Sequence, residues 1–281
     1  MTLVVVAICV LVGIGLLGRI LTRPALHVRG DMDYIALAIG GICLITGLLQ
    51  GSVWLYHWAV ARSIRHAPAA WMRDYHWPRA GINDGAALAL LKNCAGMLVN
   101  GIWLAPFHWL AYNTPEARLA FLPLGILDII WLVLLFFVLR QASRFFRFGA
   151  GRLIYGAVPY LLGERLEAVF VGSQVLAGTK AEAELRQVRE KWETRRSFNR
   201  NETMLYTTKH YSDTRPLTIS PSGRATLAFD LPPEGPSTYL GGAPQDILYW
   251  EVVVRVNRPG LDYEGIFLVP VYGAADGPLA A

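Results

Sequence analysis

Residues 34–56 read YIALAIGGICLITGLLQGSVWLY and contain no Asp, Glu, Lys, Arg or His. A helix of these 23 residues rises about 35 Å, which is enough to cross a bilayer hydrocarbon core of about 30 Å. The stretch ends in an aromatic cluster of Trp54, Tyr56, His57 and Trp58, as is common where a helix meets lipid headgroups. It therefore predicts a transmembrane helix.

Three other apolar runs are candidates for spans. Residues 3–21 begin with LVVVAICVLVGIGLL, residues 86–112 carry Lys92 near their start, and residues 119–139 carry Asp128 as their one charged residue. We interpret the first run as a retained helix rather than a secretory signal. It has no basic segment before it and no small-x-small site after it. The sequence thus predicts a membrane α-helical bundle of four transmembrane helices.

The composition and the charge agree with residence in a bilayer. Hydrophobic residues make up 54% of the 281-residue chain and charged residues 17%, whereas ordinary soluble domains have about 45–50% and about 25%. Most of the net charge of +5 lies in loops between the apolar runs, which is typical of positive charge at a membrane face. No basic patch with interleaved aromatic residues indicates nucleic-acid binding. The loops richer in Lys and Arg lie on the side of both termini, so we expect a bacterial inner-membrane protein whose N-terminus and C-terminal domain are cytoplasmic.

The C-terminal half has the pattern of β-structure. Every second residue from Leu248 to Val256 is apolar, which is the period of a half-buried strand. A turn follows, in which Pro259 fixes φ and Gly260 tolerates a positive φ. The next strand, over residues 266–272, contains Phe267 and also Pro270, which cannot donate a ladder hydrogen bond and favours an edge position.

Earlier strands are predicted at residues 164–171, 203–211 and 224–229, separated by clusters of Gly, Pro, Ser and Asp. Residues 181–196 stay ambiguous, because their apolar residues have helical spacing but are also compatible with a charged outer strand. Several short strands in about 110 residues predict an all-β sandwich.

The predicted organisation has four parts. A transmembrane domain occupies residues 1–140, an amphipathic interfacial linker residues 141–162, the soluble sandwich residues 163–272, and a flexible tail residues 273–281.

A motif series runs through the predicted sandwich. It reads F-x-L-P, then P-S, then an aromatic-rich strand with W-x-V, a P-G turn and F-x-V-P-V. The residues that carry it are Phe229, Leu231, Pro232, Pro236, Ser237, Trp250, Val252, Pro259, Gly260, Phe267, Val269, Pro270 and Val271. The series resembles the arrestin-like, immunoglobulin-like sandwich of a "domain of unknown function" family of bacterial multi-pass membrane proteins. The preceding VPYLLGERLEAVF is similar to that family's first strand, so the resemblance covers about residues 159–272. It implies a sandwich fold and, by analogy alone, a role in binding other proteins.

Asp128 is the most informative polar residue in the apolar half. A carboxylate near the middle of a span costs on the order of 2.5–3.5 kcal/mol by insertion scales and normally faces the bundle interior with a partner. Asn100 lies near the middle of the preceding run, and antiparallel helices would bring both to a similar depth. We predict an intramembrane polar pair of Asp128 and Asn100, which serves either as a proton or ion relay or as a contact that fixes helix packing.

Gly47 and Gly51 form a G-x-x-x-G spacing in the second run, which predicts close packing against another helix of this chain or of a partner chain. His57, His66 and His76 lie in the following loop with spacings of nine and ten residues. Such spacings do not fit a metal motif, so an interfacial amphipathic segment is favoured and a metal site is the weak alternative. No cofactor and no small-molecule substrate is indicated.

The sequence contains no G-x-S-x-G, P-loop or H-E-x-x-H motif. We therefore predict a non-catalytic membrane protein that acts as an interaction or assembly module, an accessory subunit or scaffold, with the lipid bilayer and a protein or a second copy as partners. The alternative is a proton- or ion-linked transport component centred on Asp128 and Asn100. An enzyme acting at the membrane is the third hypothesis.

Overall fold

A computed structural model describes residues 2–21, 31–65, 70–113, 121–197, 200–240 and 246–273. The chain divides into two compact units. The first consists of Met1–Ala61 and Leu90–Gln141, and the second of Arg62–Ala89 and Ala142–Ala281. The structure confirms a helical N-terminal half and a C-terminal region of antiparallel β-sheet.

The helices are α1 (Thr2–Leu21), α2 (Asp31–Arg65), α3 (Ala70–Asp74), α4 (Ala86–Asn113) and α5 (Phe121–Phe148). Three stretches of the described residues are long and apolar enough to cross a membrane: Ile39–Val60 within α2, all of α4 and all of α5. Large apolar side chains on α4 and α5 are exposed, as in Leu98 at 68% and Phe136 at 62%.

The predicted number of four spans is therefore too high by one for the described residues. The first apolar run does form α1, but it is not among the three stretches. Helix α1 has 20 residues and carries one charged residue, Arg19.

The strands are β1 (Ile82–Asn83), β2 (Arg152–Tyr155), β3 (Tyr160–Leu161), β4 (Arg165–Val171), β5 (Lys180–Ser197), β6 (Arg200–Thr218), β7 (Arg224–Asp230), β8 (Asp246–Val256), β9 (Tyr263–Val269) and β10 (Val271–Tyr272). One four-stranded sheet has the order β1-β2-β4-β7 and the other β6-β5-β8-β9, while β10 and β3 form a short parallel pair. All pairings within the two larger sheets are antiparallel.

The two larger sheets pack face to face around one hydrophobic core. Alternate residues of each strand point inward, and Leu166 and Phe170 of β4 share this core with Trp250 of β8 and Phe267 of β9. The rings of Phe170 and Phe267, which belong to different sheets, have centroids 5.9 Å apart. The second unit is thus a β-sandwich, since opposite sheets contribute their inner faces to the same core.

Residues 141–162, which we predict as an interfacial linker, contain the end of a helix and two short strands. Helix α5 continues to Phe148, and β2 and β3 follow within the same stretch. Phe148, Tyr155 and Tyr160 are buried at 1%, 7% and 1% exposure in the sandwich core. These aromatic side chains are buried against protein, so the sandwich begins before residue 163.

Residues 181–196 belong to a strand, β5. Leu185 pairs with the inward-facing Val252, whereas Val188 pairs with Tyr249 on the opposite face of the sheet. The spacing that resembled a helix therefore combined apolar residues from both faces of one strand.

Candidate functional site

Asp128 is paired with a histidine between α4 and α5. The Nε2 atom of His108 lies 2.9 Å from Oδ1 of Asp128, and the two side chains are 38% and 44% exposed. Asn100 instead donates from Nδ2 to the carbonyl oxygen of Gly96, 2.9 Å away on its own helix. The structure does not bring the side chains of Asn100 and Asp128 together; it places His108 beside Asp128.

The reason lies in the length of α5. The sequence ended this helix at residue 139, but α5 extends to Phe148, so Asp128 lies in its first third rather than at its middle. Two contacts fix the antiparallel register: Trp131 Nε1 donates to the Met97 carbonyl oxygen at 3.3 Å, and Asn93 Nδ2 donates to Gln141 Oε1 at 2.6 Å. In that register, His108 is the residue of α4 that lies opposite Asp128.

Close helix approach in the first unit occurs at Gly13 and Gly40. A Cβ atom on Gly13 would lie 2.8 Å from the Gly40 carbonyl oxygen, so α1 and α2 touch through their backbones at this point. The predicted packing residues Gly47 and Gly51 are buried and half-buried in α2, respectively. Sequence reasoning missed Gly13, whose signal is a small residue within the first apolar run.

The structure describes the side chain of one of the three loop histidines. His66 lies outside the described residues, as does the His57 side chain, and His76 is exposed. Among the described residues no group of three or more His, Cys, Asp or Glu side chains could hold a metal ion.

Two tryptophans of the segment after α2 pack on the sandwich. Trp71 and Trp77 are buried at 6% and 7% exposure in a cluster with Tyr272. Asp74 Oδ1 accepts a hydrogen bond of 2.7 Å from the backbone nitrogen of Leu240. The tryptophans therefore serve the fold of the second unit.

The sandwich motif residues lie in the core and in turns. Trp250 and Phe267 are buried at 1% and 0% exposure, and Gly260, which follows Pro259 in the turn between β8 and β9, has φ +89°. Pro270 lies between β9, an edge strand of its sheet, and β10. These residues shape the sandwich and present no reactive group.

A ladder of charged side chains crosses the outer face of the β6-β5-β8-β9 sheet. Glu184 accepts hydrogen bonds from Lys209 Nζ at 2.9 Å, Ser212 Oγ at 2.9 Å and Arg255 at 2.7 Å. Burial alone would raise the pKa of this carboxyl, but the bonds from Lys209, Arg255 and Ser212 outweigh it and lower the pKa of Glu184 to about 2. Burial raises the pKa of Glu251, although its bond from Arg186 opposes that rise.

The longest hairpin of the sandwich extends past its own sheet. Strand β5 pairs with β6 as far as Ser197, but β8 pairs with β5 only between Glu182 and Lys191. We call residues 192–205 the hairpin arm. Among the described residues, no third strand pairs with either outer edge of the arm.

Apolar side chains stand on both faces of this arm. Trp192 and Leu205 lie opposite each other in the ladder and share one face. Met204 lies opposite Glu193 on the other face. Their exposures are 45% for Trp192, 42% for Leu205 and 53% for Met204. No pattern within residues 192–205 predicts this arm, since it depends on how far β8 pairs with β5.

Comparison with known proteins finds a partial structural similarity. No family model matches the chain, and no curated protein matches it. The chain is similar to the sporulation control protein Spo0M from Bacillus subtilis, with a TM-score of 0.29 and 16% identity over 44% of this chain and 49% of that protein. It is also similar to dimeric latent PorU from Porphyromonas gingivalis, with a TM-score of 0.29 and 13% identity over 43% of this chain and 12% of PorU. The chain thus spans about half of the length of Spo0M and a small part of PorU.

Proposed function

We propose that this protein is a multi-pass protein of the bacterial inner membrane whose arrestin-like sandwich docks a partner protein. It acts as an accessory subunit or scaffold rather than as a catalyst. Its N-terminus and its sandwich lie on the cytoplasmic side, following the distribution of Lys and Arg among the loops.

The exposed apolar surface of the helices supports a membrane location. Side chains such as Leu98 on α4 and Leu122 on α5 are 68% and 75% exposed, and both helices are long and apolar enough to cross a membrane. A helix that is apolar on every side is stable in lipid, whereas in water its exposed area would drive aggregation.

The hairpin arm is the single observation that carries the proposed docking. Among the described residues no third strand pairs with either outer edge of the arm, and a strand edge without a neighbour accepts an added strand from another chain. Trp192 adds a large, half-exposed aromatic side chain, the residue type that most often anchors a protein interface. A strand edge or an exposed tryptophan alone is common on protein surfaces. Their occurrence on the same hairpin is what supports docking here.

The charge of the surrounding strands favours an acidic partner surface. Residues 189–209 contain six basic and three acidic side chains. Opposite charge at the rim of an interface raises the association rate and selects the partner more than it adds affinity. We therefore expect a partner that contributes an extended segment flanked by acidic residues.

The test is affinity purification of the tagged full-length protein from detergent-solubilised membranes, followed by mass spectrometry. The arm variant carries Trp192→Ser and Leu205→Ser, and the control carries Val175→Ser, which replaces another exposed apolar residue of the sandwich at 42% exposure. A partner recovered by wild type and by the control, and lost from the arm variant, supports the proposal. Recovery of this chain alone, or of the same partner with the arm variant, contradicts it.

The membrane location has a separate test. Carbonate-washed membranes should retain the full chain, and a reporter fused after the sandwich should be active only in its cytoplasmic form. Release of the chain by carbonate would contradict the membrane assignment, and a reporter active on the outer side would reverse the orientation.

The contact between His108 and Asp128 favours a second candidate, a proton- or ion-linked transport component. Two titratable side chains in direct contact within apolar helices can hold and pass a proton. The test measures proton flux in liposomes that contain wild type, Asp128→Asn or Asn100→Ala. Flux that is lost only in Asp128→Asn supports a relay that uses His108, and unchanged flux in that variant excludes it.

A further inference from the structure

Helices α4 and α5 carry two basic side chains at the same level. Lys92 of α4 and Arg140 of α5 are both exposed. Each directly precedes a residue of a hydrogen-bonded pair, since Asn93 Nδ2 donates to Gln141 Oε1 at 2.6 Å. The two helices are antiparallel, so one residue backwards is a step of about 1.5 Å in opposite directions on α4 and α5. Lys92 and Arg140 therefore lie within about 3 Å of one level along the helix pair.

The two basic side chains also project from the same side of the helix pair. Successive residues of an α-helix are turned by about 100° about its axis. Asn93 and Gln141 face each other, so Lys92 and Arg140 are each turned by about 100° away from the contact. Because the helices run in opposite directions, the two rotations have opposite senses when seen along one axis. They bring both basic residues to one face of the pair, which we call the basic face.

The positive charge of the basic face is not compensated by these helices. Asp128 is the one acidic residue in the sequences of α4 and α5. It precedes Arg140 by twelve residues, about 18 Å along the helix, and it bonds to His108. Within the described residues, neither Lys92 nor Arg140 takes part in a hydrogen bond or an ion pair. Both are donors without acceptor capacity, so a ligand of this face has to supply acceptor oxygens and negative charge.

Apolar surface lies next to the two charges. Residues 129–139, which precede Arg140 on α5, are all apolar. Phe137 and Val133 lie about one and two turns before Arg140, and they are 56% and 51% exposed. On α4, a Cβ atom at Gly96, about one turn after Lys92, would meet nothing within 4 Å. A ligand on the basic face therefore meets positive charge at one end and open apolar surface beyond it.

We propose that the basic face binds an anionic phospholipid. Its phosphate accepts hydrogen bonds from Lys92 and Arg140, and its acyl chain lies along Phe137 and Val133. Long basic side chains near the end of a span extend towards the headgroup level, and basic groups between membrane helices on the cytoplasmic side bind anionic headgroups. Charge alone would suit a soluble anion, but the adjoining apolar surface favours a lipid.

This inference rests on the proposed membrane location. It uses none of the arm residues, so it is independent of the proposed docking of a partner protein.

The experiment titrates the full-length protein in non-ionic detergent with dioleoyl-phosphatidylglycerol and measures the lipid-bound fraction by native mass spectrometry. Dioleoyl-phosphatidylcholine, which has the same acyl chains and a phosphate but no net charge, is the control lipid. The variants are Lys92→Gln, Arg140→Gln and Arg140→Lys, the last of which keeps the charge. Arg224→Gln removes an exposed arginine of the sandwich and is the control variant. Lys92 and Arg140 belong to different helices, so either glutamine variant tests the proposal if the other does not fold.

We expect the wild type to bind phosphatidylglycerol more tightly than phosphatidylcholine. Each glutamine variant should bind phosphatidylglycerol about fivefold more weakly, the factor that corresponds to one basic residue near a lipid surface. Arg140→Lys should keep most of the affinity, and Arg224→Gln should bind as the wild type does.

Three results would overturn the proposal: equal binding of the two lipids, unchanged binding in both glutamine variants, or the same loss in Arg224→Gln. Displacement of the lipid by millimolar inorganic phosphate would also overturn it, because the ligand would then be a soluble anion. Equal binding of the two lipids by a chain that carbonate-washed membranes retain would contradict this inference alone, whereas release by carbonate would contradict the membrane location as well.

Discussion

The indole Nε1 of Trp77 donates a hydrogen bond of 3.0 Å to the hydroxyl of Tyr272, which lies 195 residues further along the chain. The same hydroxyl lies 3.1 Å from Asp74 Oδ2 and donates to it. Trp77 and Tyr272 are buried at 7% and 2% exposure. These hydrogen bonds attach the segment between α2 and α4 to β10, the last described strand. The segment is therefore part of the sandwich.

Two substitutions of Trp77 should weaken this attachment by different amounts. Trp77→Phe removes the hydrogen bond and keeps a ring, so it should lower the free energy of unfolding by about 1 kcal/mol. Trp77→Ala also leaves a cavity and should cost about 3–5 kcal/mol. The measurement is hydrogen exchange of β4 and β8 amides in the full-length protein in detergent. Trp192→Phe, on the exposed arm, is the control and should leave that exchange unchanged.

Glu184 should make the sandwich sensitive to acid. Its folded-state pKa of about 2 lies below the ordinary glutamate value of about 4.3. A lowered folded pKa means that the stabilisation is present above about pH 4.3 and is lost as the pH falls towards 2. The full difference corresponds to roughly 3 kcal/mol.

This pH dependence can be assigned to one side chain. The gap in the free energy of unfolding between wild type and Glu184→Gln should shrink as the pH falls from 5 to about 2, where the carboxyl becomes protonated. Glu182→Gln, an exposed position on the same strand, should keep a constant gap to wild type. Parallel curves for wild type and Glu184→Gln over that interval would show that the Lys209 and Arg255 bonds do not hold the carboxylate.

The strands could be predicted from the sequence because inward-facing apolar residues alternate with outward-facing ones along each strand. The predicted strand at 248–256 corresponds to β8, Asp246–Val256, because each inward residue such as Trp250 alternates with an outward one. The turn at Pro259 and Gly260 was equally local, since it depends on the φ preferences of two residues.

Other features of the structure could not be predicted from the sequence, because they depend on which parts of the chain a side chain or strand meets. Phe148 and Tyr160 are aromatic residues next to an apolar helix, and by sequence they suit a lipid interface as well as a protein core. The partner of Asp128 depended on the true end of α5, which lies nine residues beyond the predicted one. The hairpin arm could not be predicted, because its extent depends on how far β8 pairs with β5 and not on residues 192–205 themselves.

Gly13 offers a test of helix contact with a control on the same helix. A Cβ atom at this position would lie 2.8 Å from both the Gly40 carbonyl oxygen and the Leu44 nitrogen, whereas one on Gly15 would meet nothing within 4 Å. Gly13→Ala should therefore separate α1 from α2 and cost about 1–3 kcal/mol by overpacking. Gly15→Ala should be neutral or slightly stabilising, because alanine favours a helix over glycine.

The measurement is thermal unfolding in detergent, together with the yield of a disulfide engineered between α1 and α2. Both should fall in Gly13→Ala and stay at the wild-type value in Gly15→Ala. Equal behaviour of the two variants would mean that α1 does not contact α2 at Gly40.

The pairing of Asp128 can be decided by double-mutant cycles. The Nε2–Oδ1 distance of 2.9 Å predicts a coupling free energy between His108→Ala and Asp128→Ala. Polar contacts between membrane helices give about 0.6 kcal/mol on average and up to about 1.7 kcal/mol. The parallel cycle with Asn100→Ala and Asp128→Ala should be additive, because Asn100 bonds to Gly96 on its own helix. Unfolding of the full-length protein in mixed micelles measures both cycles. Coupling in the Asn100 cycle and additivity in the His108 cycle would reverse the assignment, because energy is shared only between groups that touch.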